Sequence, residues 1–517
     1  MMTGETQYKG AANYIQAFTS GEFWNSVWVT LLFTILSLVI QLPLGVLVAL
    51  LLNQEFKGRW LLRSIVLVPW AVPTLVNSTL WNWIFNTQYG AANRLLMQFN
   101  LISEPIIWFD SPMKAMGVIV FADTWRMLPL YVLMMLASLQ TIPQSQIEAA
   151  ILDGAGAFSR FRNVILPLIK PMLLVVLVIR TMQALKVFDI IYMLTHGGPA
   201  NGTMVISYYG AVRKNTEDRR YLLKEGRRIM NSRMIKRGFK RAGIYLAAIV
   251  VLLWTLLPIL WMFISSITPT ADLLTIDGKW FSENVNFNRY IEIFSQSGSA
   301  NDAGAQFVNS LKISILVSVS TVVLAILFGG VSAYAFARLR FKFKNTLLMA
   351  TMFFQLLPSI TLVIPLYVIG RKIGMIDQPM FLVVLYMSFT LPYVIWVLNG
   401  YYKTIPSDLE QAAQIDGCTW FTAYWRIVLP LAKPGLVAVG ALSFLMCWDE
   451  FMYALIFMTS LSSKTMPVAI SEFSTRYGID YGMISTAGCI ATVFPMLLAL
   501  IFQKYIVTGL TAGGVKD

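Results

Sequence analysis

Polar and ionisable side chains stand inside apolar stretches of this chain at one-turn spacings. Asp123 and Arg126 are three residues apart, as are Gln183 and Lys186, then Lys186 and Asp189; Trp70 and Thr74 are four apart. Helical spacing of three or four puts each pair on one face. A charge in apolar sequence is costly away from water, so it marks either a route for a polar solute or an ion pair that joins helices. Both readings stay open for Asp123 and Arg126, which could pair with each other, and for Asn77. Arg180, near a helix middle, is expected to pair or to snorkel. Other chemistry is poorly supplied. The only histidine is His196, and Cys418, Cys447 and Cys489 are widely spaced. No histidine metal cluster, catalytic triad or disulfide framework follows from them.

The elements that must position these residues are membrane spans. The chain has 517 residues, 57% hydrophobic and 13% charged, against roughly 25% charged in a soluble domain. Apolar runs of about 20 residues recur along its length, the length of a transmembrane helix. We place ten, at about 26–52, 61–86, 114–138, 164–194, 243–267, 309–336, 345–369, 379–402, 434–459 and 485–508. The first 22 residues are polar and carry no apolar signal-peptide core, so insertion is expected to begin with the first span. Net charge is +14 (40 basic, 26 acidic). Its placement fits the positive-inside bias better than nucleic-acid binding. Lys57, Arg59 and Arg63 share one short loop and Arg338, Arg340, Lys342 and Lys344 another. The loop 268–308 is acidic, with Asp272, Asp277, Glu283, Glu292 and Asp302 against Lys279 and Arg289.

One segment occurs twice, 263 residues apart: Thr141–Pro171 and Thr404–Pro434. Pro143/Pro406, Ala149/Ala412, Ala150/Ala413, Asp153/Asp416, Gly154/Gly417, Phe158/Phe421, Pro167/Pro430, Lys170/Lys433 and Pro171/Pro434 coincide without a gap. Two copies in apolar sequence mean a duplicated membrane domain. Each reads as a helix opened by proline and closed by a glycine with positive φ, then a second short helix leading into the next span. A helix-turn-helix at the membrane surface is a docking element; an ordinary amphipathic connector is the plainer alternative, disfavoured by the duplication. Flanking basic residues put both copies in the cytoplasm. Spans then alternate consistently except at the join. Residues 211–241 hold twelve Lys or Arg against three acidic residues and should be cytoplasmic, yet nothing between Pro199 and Arg213 is long enough to cross. One helix is missing by parity. The organisation expected is a truncated first domain at 1–212 with about four spans, a basic linker at 213–241 and a second domain at 242–517 with six.

The duplicated segment resembles the EAA loop of ABC-importer permeases, and the chain looks like two sugar-type permeases of a maltose/trehalose-like importer, fused. Asn25-Ser26 and Asn309-Ser310, Pro69–Pro73, Phe188–Tyr192 with Thr195–Pro199, Trp448–Phe451 and the tail Gly509–Lys516 fit that family. The departures are the first half's absent leading and final helices and Gln411, where the loop usually carries glutamate; Glu410 is adjacent. The fold implied is an all-α polytopic protein with two homologous type I permease domains and about ten spans. The implied partners are two ABC ATPase subunits, an extracytoplasmic solute-binding protein, a sugar and the lipid bilayer of the cell (inner or plasma) membrane, with no nucleic acid. Glu148, Ala149, Ala150, Asp153, Gly154, Glu410, Gln411, Ala412, Ala413, Asp416 and Gly417 would couple to the ATPases. The sugar-site positions of maltose-type permeases fall near Trp70, Thr74, Asp123, Arg126, Gln183 and Val187. ATP and Mg would sit in the partner subunits, with no cofactor in this chain: the tail has Val515 where a phosphate loop needs lysine. The alternatives are an ABC permease for glycerol phosphate, phosphate or an amino acid, then a secondary transporter, which needs no ATPase dock. A membrane enzyme ranks last, since no nucleophile motif is present.

Overall fold

The computed structural model describes residues 11–212, 240–275, 282–294, 303–357, 359–475 and 478–512. Most of the basic stretch 211–241, Asp277 and Asp302 of the acidic loop, and the tail from Gly513 lie outside the described residues. The first half contains α1 (Gly21–Asn53), α2 (Arg59–Ala71), α3 (Thr74–Ile84), α4 (Pro112–Gln140), α5 (Gln144–Leu152), α6 (Leu166–Leu185), α7 (Asp189–Leu194) and α8 (Ile206–Val212). The second contains α9 (Lys240–Ile267), α10 (Ala303–Arg338), α11 (Lys344–Leu356), α12 (Ser359–Lys372), α13 (Pro379–Tyr402), α14 (Asp408–Ile415), α15 (Lys433–Trp448), α16 (Met452–Phe457), α17 (Met466–Ser471) and α18 (Tyr481–Ala512). The extended structure among the described residues is a two-residue antiparallel pair, Ser474–Thr475 with Gly478–Ile479.

Among the described residues, seven helices are long and apolar enough to cross a membrane, or up to ten if each bent pair counts as one span. Two of the expected spans are sharply bent. Residues 61–86 form two helices at 94°, and 345–369 two at 92°. Val72 is extended (φ −72°, ψ 124°) before Pro73, and Leu357 (φ −64°, ψ 126°) before Pro358. A residue before proline is driven out of the helical region, and proline offers no N–H to bridge the gap. The spans expected at 164–194 and 434–459 also break: α6 stops at Leu185 and the chain turns helical again at Asp189, just as α15 stops at Trp448 and α16 begins at Met452. Before α6 and α15 the chain makes a π-helical turn, at Phe161–Ile165 and at Tyr424–Val428. In the first half this turn joins Ala157–Arg160 to α6 as one continuous rod, so the second short helix expected there is part of the span.

The halves are interlocked. The short helix α8 packs on α12 and α17 packs on α3, an exchange related by the duplication. Two helices without a first-half counterpart among the described residues, α9 and α18, pack on each other and on α2, α3 and α4. The contact is aromatic. Trp83 stacks on Tyr481 at 3.9 Å and donates to Ser265 Oγ at 3.2 Å. Trp125 donates to the Trp254 carbonyl at 2.9 Å. The ends of the join lie far apart. Ile206 donates to Thr30 Oγ1 and Tyr209 to Ser20 Oγ, near the start of α1, whereas Tyr245 of α9 meets Phe56 just past its end. A helix of this length spans about 50 Å.

A loop outside the spans carries a pH-dependent clamp. Asp377, between α12 and α13, accepts from the Thr459 amide (2.6 Å) and hydroxyl (2.8 Å), the Ser460 amide (2.8 Å) and the Ser463 hydroxyl (2.9 Å). Burial pushes this carboxyl up, but the four donors together outweigh it and hold it down at about 2, below the usual 3.8. A depressed folded-state value stabilises above the unfolded value and is lost as pH falls through the folded one. The clamp should therefore be intact above about pH 4 and fail between about pH 4 and 2. Thermal midpoints of the wild type and Asp377→Asn in detergent should differ at pH 6 and converge at pH 2. A gap that persists at pH 2 contradicts the assignment.

Candidate functional site

A cavity of about 890 Å³ lies between the halves. Trp70, Thr74, Asp123, Arg126, Gln183 and Val187 all line it. The route by which they converge differs from the one their spacing suggests. Trp70 and Thr74 do not share a helix face, because the bend at Val72–Pro73 separates them. Lys186 and Asp189 flank the break after α6. Each pair still meets at the cavity, because the breaks are what open it. The second half also contributes to the lining, with Gln355, Tyr393, Trp396, Asp449 and Glu450.

The charges pair across distance. Asp123 and Arg126 share α4 but not an ion pair. Arg180 binds Asp123, and both side chains are buried; Gln41 donates to the same carboxylate at 2.7 Å. The Arg180 guanidinium also lies 5.6 Å from the centroid of the Phe33 ring. Arg126 reaches the second half and binds Asp449, while its Nε donates to the Val72 carbonyl at 3.0 Å. Thr74 gives Asp449 two more bonds, from its amide (2.5 Å) and its hydroxyl (2.7 Å). Tyr131 donates to Gln183 Oε1 at 2.9 Å. Lys186 donates to the Gln355 carbonyl of the second half at 2.8 Å. Glu450 accepts from the amides of Tyr453 and Ala454 and so holds the first turn of α16. The sequence reading missed Asp449 and Glu450 as cavity residues, although the signal that marked Asp123 applied equally to two acids inside the apolar run 434–459.

The duplicated surface helices α5 and α14 close in the same way. Ala155 N–H bonds the Ala150 carbonyl and Gly154 N–H that of Ile151; Cys418 bonds Ala413 and Gly417 bonds Gln414. This paired closure needs a left-handed residue, supplied by Gly154 (φ +74°) and Gly417 (φ +89°). Glu148, Ala149, Asp153, Gly154, Gln411, Ala412, Asp416 and Gly417 are exposed, and Ala150 is half-buried. Glu410 and Ala413 are not presented outward. Both are buried, which corrects their place among the docking residues. Glu410 accepts from Arg338 Nε at 2.6 Å and Tyr334 at 2.8 Å, and Arg338 also binds the Ile405 carbonyl at 2.6 Å. At the 263-residue offset Glu410 corresponds to Ile147, so the first half has no equivalent pair.

Breaks that line a polar cavity, wrapped by apolar helices with two matched helix-turns at one end, define a two-lobed translocating permease. The chain matches the Binding-protein-dependent transport system inner membrane component family over residues 41–268 and 322–511; it belongs to that family and is a multi-pass membrane protein. It is 45% identical over 203 residues to the trehalose/maltose transport system permease protein MalF of Thermococcus litoralis, covering 39% of this chain and 68% of that protein. It is 38% identical over 265 residues to the trehalose transport system permease protein SugB of Mycobacterium tuberculosis, covering 51% and 93%. It is 31% identical over 278 residues to the diacetylchitobiose uptake system permease protein DasC of Streptomyces coelicolor, covering 54% and 98%.

Removing one member of a buried ion pair costs about 3 kcal/mol or more, whereas an exposed side chain away from partners changes stability by about 0.5 kcal/mol or less. Glu410→Ala should therefore lower the thermal midpoint of the purified chain clearly, and Glu148→Ala should leave it within error. Equal midpoints for the two variants would show that Glu410 is not the clamp described.

Proposed function

We propose that this chain is the membrane component of an ATP-driven importer for a di- or oligosaccharide. Residues 1–212 and 242–517 act as two permease units joined by 213–241. Two ABC ATPase subunits dock on α5 and α14, and an extracytoplasmic solute-binding protein delivers the sugar. The observation that carries the reading is the convergence of Trp70, Thr74, Asp123, Arg126, Gln183 and Val187 on one cavity of about 890 Å³ between the lobes, large enough for a disaccharide by the range of small-molecule sites. An aromatic face supports a sugar ring, and the flanking polar groups exchange hydrogen bonds with hydroxyls. ATP and Mg belong to the partner subunits, whose closure rocks the lobes between inward- and outward-open states. The permease names borne by the relatives, two for trehalose or maltose and one for diacetylchitobiose, support this substrate class.

The two docks are unequal. Glu148 is exposed on α5, and a charge-assisted bond to an ATPase arginine contributes about 1.5–3 kcal/mol when desolvated. On α14 the exposed residue at that register is Gln411, and Glu410 is committed to Arg338. Glu148→Ala should weaken ATPase binding roughly tenfold or more, and Gln411→Ala far less, in a pull-down titration. In reconstituted vesicles, Trp70→Ala and Asp123→Asn should abolish ATP-dependent uptake of trehalose and maltose. Undiminished uptake by both would remove the sugar assignment.

A further inference from the structure

The same position in the two halves reaches across the interface, with opposite charge. At the 263-residue offset Asp449 corresponds to Lys186. Lys186 donates one bond to a backbone carbonyl, that of Gln355. Asp449 takes three bonds: two from Thr74 at the start of α3 and one from Arg126. The partners are of different kinds. Arg126 is fixed independently through Nε to the Val72 carbonyl, and Thr74 opens a helix whose first amides point outward and favour an acceptor. Asp449 sits just past the end of α15, where the backbone leaves the helix, and its side chain is 25% exposed to the cavity against 8% for Arg126. The acid is thus the movable member of the bridge, and the two donors are the stationary ones.

We propose that Asp449 is a latch between the halves that the transported sugar opens, and that it thereby links cavity occupancy to rocking of the lobes. The inference rests on the sugar-importer reading and adds a second-half residue to it. With the cavity empty, the Asp449 carboxylate holds the Arg126 guanidinium and the Thr74 amide and hydroxyl. A sugar hydroxyl accepts from those donors in its place, and a second hydroxyl donates to Asp449, so neither charge is left without a hydrogen-bond partner. The sugar binds the unlatched arrangement better than the latched one, and that difference is what shifts the equilibrium between them. The Lys186 strut lacks this property, because its acceptor is a neutral backbone carbonyl.

The test uses the full chain assembled with its ATPase and solute-binding partners in nanodiscs. ATP hydrolysis is measured with and without saturating trehalose or maltose. Asp449→Asn keeps the shape and removes the charge. It should raise sugar-free hydrolysis roughly fivefold or more and bring the ratio of sugar-stimulated to sugar-free rates close to one. Should that variant not assemble, Arg126→Gln, which leaves the Thr74 bonds to Asp449 in place, should give the same change in ratio to a smaller extent. An unchanged ratio in the assembled variant overturns the latch while leaving the importer reading standing. A parallel loss of both rates also overturns it, since that is the signature of a merely structural bridge. A wild-type complex that responds to neither sugar overturns the importer reading and the latch with it.

Discussion

A charge far from water needs a partner, and in this protein the partners of the central charges are supplied by other helices and by the other half. Asp123 on α4 takes Arg180 from α6, and Arg126, one turn on, takes Asp449 from the second half. Neither pair can form until the helices are side by side. The chain breaks at 72–73 and after Leu185 and Trp448 serve the same constraint. Irregular backbone at membrane depth is tolerated where it is buried in protein or faces a water-filled space. The polar cavity and the broken helices are therefore one solution, since each allows the other.

The duplication supplies two equal frames, and the sequence then makes them unequal at a few positions. The clearest lies beneath the surface helices. In the second half Tyr334, Arg338 and Glu410 tie α14 to α10, with Tyr402 and Tyr424 buried alongside. In the first half Leu139, Ile147 and Phe161 occupy the positions of Tyr402, Glu410 and Tyr424, and α5 buries no side chain fully. One helix is held to its lobe by directional bonds, the other by looser apolar contact. A displacement at α14 is consequently passed to α10 with little slack, because a charge-assisted hydrogen-bond network has few good geometries and an apolar contact has many.

Much of this was legible from residue type and period. The exact 263-residue register announced two copies, and length with hydropathy placed most of the spans to within a few residues but overran α6 and α15, which stop at Leu185 and Trp448. Polar residues in apolar runs identified the cavity lining. What could not be read was partnership. Arg180 is 57 residues from Asp123 and Asp449 is 323 from Arg126, so local spacing suggested the false pair Asp123–Arg126. The right-angle bends were signalled by Val72-Pro73 and Leu357-Pro358, but the continuous apolar run masked them: hydropathy reports burial and is blind to direction. Glu410 was misread for a related reason. Its neighbour Gln411 faces out and it faces in, a difference of one helical position that only the placement of Arg338 decides.

The wrapping of the first half by α9 and α18 has a consequence for biosynthesis. Chains emerge N-terminal end first, so α3 and α4 enter the bilayer well before the helices that cover them. Trp83 and Trp125 then lack the Ser265 and Trp254 partners that satisfy their indole N–H groups. Those partners arrive with α9, but until translation has passed Ala512 the part of the flank that α18 covers must be shielded by lipid or by an insertion chaperone. The order of synthesis and the order of closure thus run in opposite directions, and the first lobe to be made is the last to be sealed.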